Sequence, residues 1–277
     1  MARTTDPILP ALMYGTAWKQ EATTALVVAA VEAGFRAIDT ANQPRHYSEA
    51  LVGAALRELA AAGIGRDQLF VQTKFTSPPG QDHRIPYDPA AAPAEQVAQS
   101  LAASLEHLGT DRLDAYVLHG PSNRSGLAPY DLAVWRAMED AHRAGTVDRL
   151  GVSNVTAAQL EQLAGQAGIA PALVQNRCYA DRGWDREVRA LCRAHGMVYQ
   201  GFSLLTANPQ VLVSAPVLTA ARRLQRTPAQ VVLRFALDVG MLPLTGTTDP
   251  EHMRQDLEIT SFALLPDEIA AIEAGTA

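Results

Sequence analysis

Lysine is nearly missing from this 277-residue chain. Lys19 and Lys74 are the only two, so arginine supplies 21 of the 23 basic residues. Cysteine is equally scarce: Cys178 and Cys192 form no CxxC pair. That excludes a disulfide framework and points to a reducing compartment. No apolar run approaches the length of a membrane span. The N-terminal MARTTDPILPAL carries no basic region followed by an apolar one, so no signal peptide is read and a cytoplasmic location is expected. Charge of neither sign forms a run, and a net charge of -6 with a pI near 5.6 argues against a nucleic-acid partner. HExxH and Cys/His ligand spacings are lacking, so no catalytic metal is expected. The GxGxxG fingerprint of an open dinucleotide-binding sheet is lacking too; Gly63-Ile64-Gly65 is incomplete and misplaced.

What is present is a regular alternation, in a chain whose 48% hydrophobic content can fill a sizeable core. Short apolar runs at Met13–Thr16, Phe35–Asp39, Leu69–Lys74, Leu113–His119, Arg149–Ser153, Ala172–Gln175, Met197–Gly201 and Met241–Leu244 read as strands. Between them lie stretches of helical period, such as Ala94–Leu108 with Val97, Leu101, Leu105 and Leu108 on one face. Leu212–Leu224 reads as a helix interrupted by Pro216, and Thr227-Pro228 as a helix start. Strict alternation implies parallel strands joined by right-handed crossovers. Eight such units predict one α/β domain spanning 1–277, a (β/α)8 TIM barrel, in preference to an open doubly wound sheet.

In such a barrel the chemistry sits at the C-terminal strand ends. Three of those ends carry Asp39, Lys74 and His119, and Tyr47 lies in the loop after Asp39. Each has an ordinary alternative: a capping carboxylate, a surface lysine, a core histidine or a loop aromatic. Their joint occurrence suits reduction of a carbonyl, which needs an acid to protonate the developing alkoxide. A tyrosine of reference pKa ~10 is a reluctant donor. An ammonium at roughly 4 Å favours the phenolate by an amount on the order of 4 kcal/mol at an effective dielectric near 20, before desolvation. A carboxylate keeps the ammonium charged, and a neutral histidine orients the substrate oxygen.

The chain resembles the aldo-keto reductases over nearly its whole length. The resemblance rests on Phe35-Arg36-Ala37-Ile38-Asp39-Thr40-Ala41, on Ser104–Asp114 followed by Tyr116-Val117-Leu118-His119-Gly120-Pro121, on Gly151-Val152-Ser153-Asn154, and on Thr227–Arg234. It implies reduction of an aldehyde or ketone by hydride transfer from NADPH, with NADH the alternative. It also implies a catalytic tetrad of Asp39, Tyr47, Lys74 and His119. Ser153, Asn154 and Gln175 match the residues that hold the nicotinamide carboxamide, Phe202 the aromatic stacked on its ring, and Ser203 a pyrophosphate contact. Thr16 and Ala17 fall near the nicotinamide ribose, with Asp39 beside them, and Trp18 falls near the substrate with Tyr47 and His119.

Many members of the family carry a basic residue after the last strand; no lysine appears in Leu244–Arg254. Gly246, Thr247 and Thr248, at the mouth of the following helix, are expected to offer backbone N–H groups to phosphate. His252 and Arg254 would add charge, and Gln255 or Asp256 would meet the adenine. The family's tyrosine usually follows the Asp by five residues. Here Asn42-Gln43-Pro44-Arg45-His46 intervene and the interval is eight, which reshapes the substrate rim and brings His46 within reach. The chain stops soon after Pro266–Ala274, so an open site is expected, bordered by Phe75–Ala91, Gly120–Pro129 and Leu204–Leu212. Phe75, Trp135 and Tyr179 are further aromatic candidates for the guest. The expected partner is a small carbonyl compound, with no nucleic acid or membrane, and the chain a monomer or weak oligomer. Two other readings stand beside this one: an accessory barrel that binds nicotinamide nucleotides without turnover, and a barrel lyase or isomerase with no redox step.

Overall fold

The computed structural model of the chain describes residues 9–275, so residues 1–8 of the stretch read for a leader lie outside the described part. Its strands are β1 Met13–Gly15, β2 Ala37–Asp39, β3 Phe70–Phe75, β4 Ala115–Leu118, β5 Leu150–Ser153, β6 Leu173–Arg177, β7 Val198–Phe202 and β8 Met241–Thr245. Neighbours pair in parallel in chain order, and β1 also pairs with β8, so the sheet closes into a barrel. The expected (β/α)8 architecture is therefore present. β6 and β7 run past the boundaries read from periodicity, to Arg177 and Phe202, because their ends stay in register with each other.

The helices are α1 Thr23–Ala33, α2 Glu49–Ala61, α3 Pro93–Leu108, α4 Pro129–Arg143, α5 Ala157–Gln166, α6 Arg186–His195, α7 Pro209–Leu212, α8 Ala215–Leu224, α9 Pro228–Asp238, α10 Pro250–Leu257 and α11 Pro266–Ala274. Local chemistry accounts for several of their starts. Thr156 and Thr227 each accept a bond from the third residue onward, Gln159 N and Gln230 N, both at 3.2 Å, in reciprocal capping boxes. Pro216 does not interrupt a helix as expected. It sits in the first turn of α8, where the backbone has no intrahelical donor to lose, and the break falls earlier, after α7. Among the described residues no helix is long and apolar enough to cross a membrane.

Strand periodicity builds the barrel interior in layers. Met13, Ala37, Phe70, Ala115, Leu173 and Leu242 form an apolar floor. Two residues onward, Asp39, Gln72, Gln175 and Gln200 share matched register positions above it. Two further onward come Lys74 on β3 and Phe202 on β7. Most remaining apolar side chains pack between the strands and the helical ring. The floor thus lifts the polar residues to the C-terminal mouth.

Candidate active site

The polar layer is organised by one carboxylate. Lys74 donates from Nζ to Asp39 Oδ1 at 2.6 Å, to Asp39 Oδ2 at 2.7 Å and to the Thr40 carbonyl at 2.8 Å, using all three ammonium hydrogens. Both side chains are buried, at 1% and 3% exposure. Burial pushes the Lys74 pKa down, and the Asp39 charge and hydrogen bond oppose that shift.

Asp39 Oδ1 also accepts from Gln72 Nε2 at 2.7 Å and Gln175 Nε2 at 3.0 Å. An ionised carboxylate only accepts, so both glutamines must turn their N–H ends to it. Their second N–H groups both go to Gln200 Oε1 at 3.0 Å, and Gln200 Nε2 returns a bond to Gln72 Oε1 at 3.0 Å. Every amide in the layer has one allowed polarity. Gln175 has spent both hydrogens below, and its Oε1 is the end left for the cleft it borders.

Tyr47 and His119 stand over this layer. The start of α2 is pinned by buried Glu49, which accepts from Ser104 Oγ at 3.0 and 3.2 Å, meets His107 Nδ1 at 3.1 Å and takes a further bond from Thr73 Oγ1. Tyr47, two residues before Glu49, has its backbone N–H bonded to the Gln43 carbonyl at 3.0 Å. Its ring centroid lies 5.1 Å from Lys74 Nζ and 6.0 Å from the His119 ring, which it meets edge-on. The expectation that Lys74 acidifies the resting phenol needs correction. Burial, followed by the Asp39 charge, pushes the phenol above its ordinary range. The ammonium is already neutralised by the carboxylate beneath it.

His119 is fixed from three sides. Its N–H bonds Phe75 O at 2.9 Å, its carbonyl accepts from Asn154 Nδ2 at 2.8 Å, and Nδ1 meets Thr76 Oγ1 at 2.7 Å. Burial, then the charge of Lys74, pushes the imidazole down to about 3, so it is neutral near pH 7. The Thr76 hydroxyl can donate to Nδ1, an arrangement that puts the ring proton on Nε2.

A cleft of about 1300 Å³ runs from this group along the barrel mouth. Its lining includes Trp18, His46, Tyr47, His119 and Asn154, Phe202 and Ser203, and Gly246, Thr247, His252, Gln255 and Asp256. Ala17, Asp39, Ser153 and Gln175 also line it. Lys74, Arg254, Thr16 and Thr248 do not. Thr16 is buried, with its hydroxyl donating to Asp39 O at 3.0 Å, and Thr248 is exposed outside the lining. Phe75 and Trp135 belong to the core, Trp135 donating to Ile169 O at 3.1 Å, and Tyr179 lies outside the lining.

The far end also differs from expectation. Asp249 caps α10, its carboxylate accepting from Glu251 N at 2.7 Å and His252 N at 3.2 Å, so the helix mouth is already filled by an anion. Arg254 pairs with Glu251. Asp256 accepts from Thr245 Oγ1 at 2.7 Å, and burial pushes its carboxyl up to about 6. The cation here is instead half-buried Lys19, which donates to the Gly246 carbonyl and lies 5.8 Å from the Tyr14 ring. Sequence reading left Lys19, Gln72, Thr76 and Gln200 without a role. The scarcity of lysine was the one signal that could have marked Lys19.

A closed parallel barrel gathering an ammonium–carboxylate pair, a phenol and a neutral imidazole beside one long cleft is built for proton transfer to a carbonyl oxygen. The comparisons give the class its family. The family described as "Aldo/keto reductase family" matches residues 11–211. The chain is 34% identical over 250 residues to 2,5-diketo-D-gluconic acid reductase B of Corynebacterium sp. (strain SHS752001), covering 90% of this chain and 82% of that protein. It is also 34% identical over 248 residues to an aldo-keto reductase of Mycolicibacterium vanbaalenii, covering 89% and 81%. The crystal structure of an aldo/keto reductase from Brucella melitensis superposes with a TM-score of 0.81 at 26% identity, covering 96% of this chain and 94% of that one. The chain belongs to the aldo/keto reductase family, oxidoreductases that reduce carbonyl groups.

Thr76→Val removes the hydroxyl that meets His119 Nδ1 while keeping the side-chain volume. Steady-state kinetics should show kcat lowered about tenfold with little change in the KM of the cofactor. An unaltered kcat would leave Thr76 without that role.

Proposed function

We propose that the chain is an NADPH-dependent reductase of aldehydes and ketones in which Tyr47 is the proton donor. The observation that carries this reading is the stacking of groups over Asp39: a buried ammonium, a phenol within 5.1 Å of it, and a neutral imidazole beside the phenol. The cleft's own polar ends suit a nicotinamide nucleotide. Gln175 offers an acceptor to a carboxamide N–H, Asn154 lies beside it, Phe202 borders the cleft with the Arg177 guanidinium 5.6 Å from its ring, and Lys19 brings a positive charge to the bend at Gly246. When bound, that cofactor supplies a hydride.

The chain's residues manage the rest. His119 donates from Nε2 to the substrate oxygen and aims the carbonyl. Tyr47 keeps its proton in the resting site, because burial disfavours the phenolate, and gives it up only to an oxygen becoming an alkoxide, a far stronger base. Lys74 stabilises the phenolate left behind, and Asp39 keeps that ammonium charged. A neutral His119 needs no deprotonation before it can act in this way. A reducing cytoplasmic setting fits Cys178 and Cys192, both buried and unbridged.

Tyr47→Phe should lower carbonyl reduction by about 10²- to 10⁴-fold while cofactor binding, followed by fluorescence quenching, persists. Near-normal turnover in that variant would remove the tyrosine from the reaction. Dissociation constants for the two cofactors, measured the same way, should favour NADPH over NADH by about tenfold or more, an ion pair's worth of binding energy. Equal or reversed affinities would reject the NADPH preference.

A further inference from the structure

The five residues between Thr40-Ala41 and Tyr47 bring a second histidine to the cleft. We propose that His46 is a specificity-determining residue that accepts a hydrogen bond from a hydroxyl of the substrate, so that the site favours hydroxylated aldehydes and ketones over their plain counterparts. This rests on the reading that a carbonyl is reduced between Tyr47 and His119.

The polarity of His46 follows from a backbone oxygen. The Gly80 carbonyl can only accept, and Gln43 Nε2 donates to it at 2.7 Å. That bond turns Gln43 Oε1 toward His46 Nδ1, 2.8 Å away. An amide oxygen also only accepts, so Nδ1 must carry the hydrogen. Burial, then the charge of Arg45, pushes the His46 pKa down, against a smaller upward pull from Asp82. A neutral ring protonated on Nδ1 has a bare lone pair on Nε2. No hydrogen bond to Nε2 occurs among the described residues, and the side chain borders the cleft beside Tyr47 and His119.

The ring is held in place. The Trp18 indole packs on it at 4.0 Å between centroids, and the Trp18 backbone N–H donates to the His46 carbonyl at 2.7 Å. Deeper in the same loop, Asn42 Nδ2 donates to Ser100 O at 2.9 Å and the Asn42 carbonyl accepts from Gln81 Nε2 at 2.9 Å. A loop tied at both levels presents a fixed acceptor.

The chemistry of the neighbours makes that acceptor selective. Tyr47 Oη–H and His119 Nε2–H are donors, both suited to a carbonyl oxygen. His46 Nε2 has the opposite polarity, so it cannot take the carbonyl oxygen from them. The group it can take is an O–H on the same substrate. A guest lacking that hydroxyl leaves the lone pair to water, whereas one bearing it completes the site.

The test compares butanal with 2-hydroxybutanal and 3-hydroxybutanal, each measured as kcat/KM with saturating cofactor. For each hydroxyaldehyde the ratio to butanal is taken in the wild type and again in His46→Phe, which keeps a ring under Trp18 but has no lone pair. Intrinsic differences in aldehyde reactivity cancel between the two proteins. For at least one hydroxyaldehyde the ratio should fall about three- to tenfold in His46→Phe. Gln43→Met, which frees the tautomer without removing the ring, should lower the same ratio by a smaller factor. Ratios unchanged in both variants would overturn the role of His46. A wild type that reduces butanal but shows those unchanged ratios leaves carbonyl reduction standing; a wild type that reduces none of the three overturns the functional reading and this inference together.

Discussion

The ion pair between Lys74 and Asp39 is the interaction on which the site depends. Removing two charges from water costs several kcal/mol per ion, and attraction offsets this only when the remaining hydrogen-bonding capacity is met. Here it is met closely. The ammonium spends its hydrogens on two carboxylate oxygens and a carbonyl, and the carboxylate gathers two glutamine N–H groups besides. The apolar floor below excludes water and keeps the local dielectric low. Breaking either partner would strand a buried charge, so the barrel mouth holds one electrostatic arrangement.

That arrangement propagates by polarity. A group that can only accept dictates the orientation of the amide facing it, and that amide dictates the next. Asp39 sets Gln72 and Gln175, and both agree on Gln200. The Gly80 carbonyl sets Gln43, which sets His46. The donors and acceptors presented to a guest are therefore decided by the groups that hold them from behind. Tyr47 is governed by the same balance: burial and the Asp39 charge hold its proton on.

Much of this was legible in the sequence, because strand ends and period-two alternation place side chains without knowledge of distant contacts. Asp39, Lys74 and His119 fell at successive strand ends and the barrel brings them together. Tyr47 joins them despite the longer interval, since Tyr47-Ser48-Glu49 leads into a helix anchored by the Glu49 side chain. Less legible was whatever depended on partners far along the chain. Gln72 and Gln200 lie 128 residues apart, and a mid-strand glutamine carries no mark of its partner. Thr16 reads as a strand-end hydroxyl, yet its bond to the Asp39 carbonyl turns it away from the cleft. Phe75 and Trp135 are aromatic at plausible positions, and packing alone assigns them to the core. The helix mouth expected to meet phosphate is capped by the Asp249 carboxylate, which accepts from two of its N–H groups.

The electrostatic account stands most directly on Lys74. Rapid-mixing measurement of hydride transfer in a single turnover, at saturating cofactor and aldehyde, separates the chemical step from binding and release. Replacing the ammonium by an apolar chain of similar length, Lys74→Met, should slow that step by at least about 100-fold. A Lys74→Met rate within about threefold of the wild type would contradict the claim that this buried charge supports proton donation from Tyr47.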